Sequence, residues 1–377
     1  MGRKASVGTV GHQDALDGMR AVAIGGVLLL HLDRAHFPGG AFGVDVFFVL
    51  SSYLISALLL EEFGRNGRIR FGAFYWRRFF RLYPALLLWL VVVAIPTAVL
   101  IHQAHTIPWS TTGAIFYFSD VLETWTSHVG APFDQSWSLA VEEQFYLLWP
   151  VVLALITARF TWRGQRWATT VMIALSVVVW FLCGNYFLPT GHLVPLALGC
   201  WAAFWMARGG AETRLAAFLM DDRVAVAAVG VFVVALFWTP SGQTGDLLDL
   251  AVGLAATGLM IHGLLAARSW PSRVLGSSLF RWVGVRSYGI YLYGLTLLIL
   301  VPTVTRLPLH EVAPLDLVVI TAVVALSYRF VESPLRDRGR AWLARPHDGL
   351  APTPEPEPDD LGEATDRAHR QTPIGSS

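Results

Sequence analysis

Apolar runs recur along almost the whole chain. Stretches near 19–35, 41–60, 83–101, 138–158, 168–188, 191–207, 224–239, 247–267, 287–305 and 314–331 are candidates to cross a bilayer. A spanning helix needs about 17–25 apolar residues, with shorter ones tolerated inside a bundle. An eleventh, weaker run, TTGAIFYFSDVL (111–122), decides the sidedness of everything after it. Basic residues settle the choice, because short cytoplasmic loops are rich in them. If 111–122 does not span, one side receives Arg3, Lys4 and Arg20, the arginine-rich 61–82 loop, and the arginines near 159–166, 208–223, 268–286 and from 329 onward. The other side keeps only Arg34 and Arg306. The pattern predicts an all-α, polytopic membrane helix bundle with about ten transmembrane helices and both termini cytoplasmic. Residues 1–18 form a cytoplasmic N-terminal segment and 19–340 the transmembrane domain. Residues 102–137 become a long outer segment, and any irregular backbone dipping into the membrane there must be covered by protein or line a wet cavity. The Pro- and acid-rich tail, 341–377, cannot bury a core and is expected to be disordered.

Composition agrees with this class. The 377-residue chain is 54% hydrophobic and only 15% charged, where soluble domains are nearer a quarter charged. Its 15 Trp and 22 Phe suit interfacial aromatic belts. The first apolar run has no small-residue cleavage site and leads directly into the next, so no removable signal peptide is expected. The expected location is the cell membrane, as a multi-pass protein. Lys4 is the sole lysine among 28 basic residues, which hints at a GC-rich, actinobacterial genome. Cys183 and Cys200 lie in apolar runs without metal-ligand spacing and read as buried thiols.

Ionisable groups inside spans are costly, and each is a functional hypothesis. In DGMRAVAIGGVLLLHLDR (17–34), Arg20 and His31 are separated by ten uncharged residues. Eleven helical steps are close to three turns, so both side chains share a face, with a rise of about 16 Å. With Arg20 at the inner boundary, His31 falls near mid-membrane or slightly beyond. In AFGVDVFFVLSSYLI, Asp45 begins the next span. It can orient the His31 imidazole or take its proton, or it can be a helix cap or a partner of Arg34. Ser51 and Ser52 stand deeper in the same run, where serines usually bond their own backbone. SWSLAVEEQFYLLWP (136–150) carries Trp137, then Glu142 and Glu143 at the outer end of a span, then Tyr146. One glutamate there is accounted for by the helix dipole, a pair less well. Glu332 lies beside the cytoplasmic end of the last span, within reach of nearby arginines.

The first cytoplasmic loop ends in FYWRRFFRLYP, with Arg77, Arg78 and Arg81 among aromatic rings. Topology and anionic lipid account for such a cluster. Guanidinium forks also suit phosphates, and the rings could stack on a base. No metal site is expected: His36, His102 and His105 lack partner ligands at usable spacing.

Together these motifs resemble the acyltransferase-3 family of integral-membrane O-acyltransferases, over about residues 12–340. LDGMRA (16–21) is similar to the family's opening motif, and Arg20 with His31 matches its Arg-ten residues-His signature. GVDVFFVLSSYLI, RFFRLYP, SWSLAVEEQFYLLWP and FVESP (330–334) match further blocks in the family's order. Two departures stand out. Ser52 replaces a usual Gly, and SYGIYLYGLTL (287–297) has Gly294 where a His commonly stands. The resemblance implies transfer of an acyl group, commonly acetyl, from cytoplasmic acyl-CoA. The implied acceptor is a hydroxyl of an envelope carbohydrate, a glycolipid, or a glycosylated or macrolide-type metabolite. It implies that His31 is catalytic with Arg20 beside it, that Arg78 and Arg81 contact coenzyme A phosphates with Arg77 next to them, and that Glu142 and Glu332 are essential carboxylates. Asp45 joins the catalytic candidates, and Ser51, Trp137, Glu143 and Tyr146 are candidates for substrate contact.

An imidazole with near-neutral pKa can deprotonate the acceptor hydroxyl as it attacks the thioester. It can instead carry the acyl group as a nucleophile, and the base is the favoured role. The rival class is a transporter or flippase of a carbohydrate or lipid-linked sugar, since buried charges also mark transport paths. Inverted repeats would favour that class, and the motifs here each occur once.

Overall fold

The computed structural model describes residues 14–126, 130–239 and 243–343. The expected disorder of the tail therefore falls almost wholly outside the described residues. Every regular element among them is helical. The main rods are α1 (Asp14–Leu32), α2 (Phe42–Asn66) and α3 (Phe71–Leu100). Two short helices follow, α4 (Ile107–Phe116) and α5 (Ser119–Trp125), then α6 (Ser136–Arg159), α7 (Trp162–Cys183) and α8 (Leu193–Ala207). Next come α9 (Arg214–Leu219), α10 (Asp222–Phe237), α11 (Gln243–Leu265), α12 (Trp270–Leu275) and α13 (Ser278–Val285). The chain closes with α14 (Ser287–Thr305) and α15 (Leu309–Leu343).

Eight of these helices are long and apolar enough to cross a membrane, and α8 is a shorter apolar helix of 15 residues. With the 16-residue α10, the rods fall where the ten apolar runs lie. The run 111–122 does not form one rod: Tyr117 adopts a left-handed conformation (φ 57°) and divides α4 from α5. Both short helices pack on α6, where Gln144 donates to the Tyr117 carbonyl (3.0 Å) and to Asp120 Oδ1 (2.9 Å).

The sequence places a long loop at 61–82, and here the structure differs. Helix α2 runs on to Asn66, and Gly67 (φ 65°) ends it with its N–H on the Phe63 carbonyl at 2.8 Å. Glycine is the residue that reaches this left-handed cap without strain. Glu61 pairs with Arg65 and Glu62 lies 3.6 Å from Arg77, which draws the last turn of α2 toward α3. Only 67–70 remain outside helix. Arg77, Arg78 and Arg81 therefore ride on α3 instead of on a loop.

Close backbone approaches set the positions of the central rods. A Cβ on Gly18 would stand 2.1 Å from the Leu275 carbonyl oxygen. One on Gly284 would stand 1.8 Å from that of Asp17. The first turns of α1 are thus wedged between α12 and α13, which fixes the direction of Arg20. The departure at Ser52 has a matching accommodation. Ser52 Oγ is fully buried against Gly199 of α8, where any side chain would collide, and donates to the Val49 carbonyl at 3.2 Å.

Three rods contain a wide, π-type turn: Leu90–Ala94, Ile290–Gly294 and Tyr328–Glu332. Pro96 and Pro334 follow the first and third closely. Proline lacks the N–H and crowds the carbonyl four residues back, so a widened turn relieves it.

Candidate active site

Two cavities open between these rods and share Arg20, Leu54, Leu58, Arg81, Ser287 and Tyr288 in their walls. The wider one has a volume of about 830 Å³. It is bounded by the first turns of α1, the ends of α2 and α8, and the final part of α15. The narrower one, about 120 Å³, continues between α2, α3, α6 and α14 as far as Val44, Phe48 and Ser138. At the neck stand two guanidinium groups. Arg20 Nη1 donates to Asp17 Oδ1 at 3.1 Å. Arg81 is exposed into the cavity, and among the described residues no carboxylate pairs with it within 4.0 Å.

Arg78, one turn before Arg81, has a different environment. Its guanidinium donates to Glu143 Oε1 (Nε at 3.1 Å, Nη2 ion pair at 3.0 Å). It also lies 4.0 Å from Glu142 and stacks over the Tyr146 ring. The Tyr146 hydroxyl in turn donates to Glu142. Glu142, Tyr146 and Ser51 line the narrow cavity, while Glu143 stands behind it. The glutamates are not at the outer end of a span, as the sequence places them. They lie two turns inside α6, level with an arginine two turns inside α3. The RFFR block begins inside a helix, which brings its cation to that depth.

The remaining site candidates scatter around this centre. Glu332 is buried in the wide turn of α15 and lines the large cavity, accepting from Ser327 Oγ at 3.0 Å. Arg77 points away, to Glu62. His31 is the penultimate residue of α1 and is exposed. Arg20 sits in the second turn of that helix instead of at its start, which carries His31 further out than mid-rod. Its Nδ1 lies 2.8 Å from the Val27 carbonyl, to which it donates. Gly43 packs on Ala23 and Val27, and the next residue, Val44, lines the far end of the narrow cavity. The His31 ring is outside the lining of both cavities.

Asp45 partners neither His31 nor Arg34. Its Oδ1 lies 2.8 Å from Nδ1 of His192, a residue the sequence reading passes over. The second ring nitrogen of His192 faces the Tyr186 carbonyl at 2.7 Å. Two acceptors on one ring favour the imidazolium, which donates to both. Burial is the largest single influence and opposes that charge, but Asp45, the Tyr186 carbonyl and Asp249 together hold the His192 pKa above its ordinary value. Trp137 stacks on this ring, with centroids 5.3 Å apart, outside the lining of both cavities. No group of His, Cys, Asp or Glu among the described residues is arranged to hold a metal.

A family model described as an acyltransferase domain matches residues 13–329. The chain belongs to the acyltransferase-3 family. It is 29% identical over 355 residues to the O-acetyltransferase OatA of Staphylococcus aureus, covering 86% of this chain and 57% of that protein. It is 30% identical over 362 residues to YrhL of Bacillus subtilis, provisionally named a peptidoglycan O-acetyltransferase, covering 88% and 56%. The chain thus spans somewhat over half the length of the curated relatives it matches. No solved structure matches it.

Of the residues that the resemblance singles out, Arg20, Arg78, Arg81, Glu142 and Glu332 line the cavities and His31 does not. The sequence reading missed several of their neighbours. Tyr288 donates to the Leu82 carbonyl at 3.1 Å, and Tyr291 bonds Ser138 Oγ at 2.6 Å, which seats the SYGIYLYG block in the cavity wall. Its pattern of tyrosines was the available signal. Gly294, where a histidine is common, faces Leu28 and Ile320. Arg336 and Arg340 line the wide cavity beyond the end of the family match.

Proposed function

We propose that the protein is a membrane O-acyltransferase. It moves an acyl group, in the first instance acetyl, from cytoplasmic acyl-CoA to a hydroxyl of an envelope carbohydrate. The observation that carries this reading is the neck between the two cavities. Arg81 there has no carboxylate of its own and stands beside Arg20, at the entrance to a narrow cavity that runs along α2 as far as Val44 and Ser138. Like charges so placed fit an anionic ligand. A basic, wide cavity suits the phosphates and nucleotide of the donor, and a narrow one of mixed lining, with Val44, Phe47, Phe48 and Ile55 beside its polar groups, suits the thioester arm.

His31 acts as the general base. Its neutral ring keeps the proton on Nδ1, donated to Val27, and offers Nε2 to the acceptor hydroxyl. As Nε2 takes the hydroxyl proton, the oxygen attacks the thioester carbonyl, the new C–O bond forms and the C–S bond breaks. The coenzyme A thiolate leaves, and the proton held on His31 passes to it or to water. The thioester must reach about 16 Å beyond Arg20 along α1 to meet this ring. The names of the relatives support acetyl as the group and a cell-wall sugar as the acceptor class.

The test uses purified full-length protein with radiolabelled acetyl-CoA, following transfer and slow hydrolysis of the thioester. His31→Ala is expected to lower turnover by a factor of about 10²–10⁴, the range of general-base contributions, with insertion and thermal stability retained. Turnover within a fewfold of the unmodified protein removes His31 from the chemistry. Accumulation of a solute in vesicles without thioester turnover would assign the chain to transport instead.

A further inference from the structure

The last rod of the bundle does more than end it. Beyond its wide turn, α15 continues to Leu343 and stays attached through Gly339, whose missing side chain lets Phe80 of α3 pack directly on the backbone. Trp342 joins Trp76 and Phe80 in an aromatic cluster. That attachment turns a series of residues spaced by four, Tyr328, Glu332, Arg336 and Arg340, onto the wall of the wide cavity. Arg208, just past α8, is also in the wall and is held by a neutral partner, the Gln165 amide oxygen, at 2.8 Å.

The charges of this cavity do not balance. Its wall carries Arg20, Arg81, Arg208, Arg336 and Arg340 against Asp17, Glu61 and Glu332. Asp17 is taken by Arg20, Glu61 pairs with Arg65 outside the wall, and Glu332 accepts from Ser327. Arg336 leans on the Tyr328 ring, bonds Ser333 Oγ (3.2 Å) and pairs loosely with the outward-facing Asp337 at 3.6 Å. Arg340 forms no ion pair among the described residues. Meanwhile Arg78, the other cation that the motifs offer to phosphates, is neutralised by Glu143.

We propose that Arg336 and Arg340, together with Arg208, grip the phosphates at the nucleotide end of the acyl donor. They thereby set the enzyme's preference for a nucleotide-bearing thioester over its bare pantetheine fragment. This rests on the acyl-CoA reading above, and two of its residues, Arg336 and Arg340, lie beyond the family match, which ends at 329. Coenzyme A carries three phosphates at its nucleotide end and none on its pantetheine arm. The net positive wall, five guanidinium groups against three carboxylates, therefore discriminates between the two donors.

The experiment compares acetyl-CoA with S-acetylpantetheine as donors for the full-length protein, alone and as Arg340→Gln, Arg336→Gln, Arg336→Lys and Arg208→Gln. Each Gln variant is expected to raise KM for acetyl-CoA about tenfold, the loss of one charge-assisted contact. Its kcat, and its kcat/KM for S-acetylpantetheine, should stay the same, and Arg336→Lys should recover part of the affinity. Arg340 is exposed, so its variant tests the idea without burdening the fold. Equal losses with both donors would mark these residues as structural and overturn the proposal. So would unchanged kinetics in an enzyme that uses both donors equally well, although acyl transfer itself would then stand. Failure of the unmodified protein to turn over either donor overturns both this inference and the function on which it rests.

Discussion

Arg78 and Arg81 are one turn apart on α3, read alike in sequence, and have separate tasks. Arg78 is boxed in by Glu143, Glu142 and Tyr146, so its charge is neutralised within the bundle. Arg81 is open to both cavities. Removing a partner from a buried pair leaves the other charge stranded, which costs about 3–5 kcal/mol. Glu143→Gln is therefore expected to destabilise the protein by an amount of that order, read as a fall in Tm in detergent. Arg81→Gln should leave Tm within a few degrees of the original but raise the KM for acetyl-CoA. If Arg81→Gln unfolds the protein while Glu143→Gln only weakens donor binding, the roles are reversed and the site as drawn here is wrong. Nothing in RFFRLYP separates the two arginines. The distinction arises from α6, which supplies carboxylates to one and not to the other.

At the scale of elements, the link between α7 and α8 is clamped onto the start of α2 by Asp45 and His192. The His192 imidazolium is favoured by Asp45, with Asp249 adding to the same field, against the opposing effect of burial. A histidine whose folded pKa is raised lends stability that is complete below its unfolded value of about 6.5 and is lost as pH climbs through the folded value. Tm should thus decline as pH rises from about 6.5 through the raised folded value. Asp45→Asn should abolish that slope and cost most at acidic pH. Parallel Tm profiles for the two proteins would show that the pair carries no such linkage. The rods themselves were legible from hydrophobic runs, because a membrane span is written in consecutive residues. The clamp was not, because its partners are 147 positions apart and His192 stands in no motif. The same limit hid Arg208, while helix ends at 61–71 were obscured because charged residues continued a helix that hydropathy alone had ended.

For the whole molecule, the distribution of charge ties the direction of the bundle to the direction of the proposed reaction. The wide cavity opens where the arginines of α15 and Arg208 gather, and His31 lies at the opposite end of α1. With basic residues facing the cytoplasm in short loops, the proposed donor would enter from inside and the proposed acceptor would be met outside. This orientation also requires that α4 and α5 form a broken pair on one side and not an eleventh crossing. Were they a crossing, every rod from α6 onward would invert, and Arg340 would face the same compartment as His36. Single cysteines placed at these two positions, with Cys183 and Cys200 replaced by serine, separate the cases. In intact cells a membrane-impermeant maleimide should label His36→Cys and spare Arg340→Cys until the membrane is opened. Labelling of both from outside would invert the later rods and detach the arginine-lined cavity from the cytoplasmic donor pool. A thioester made in the cytoplasm could then no longer reach Arg81, and the path along α1 from donor to His31 would lose its beginning.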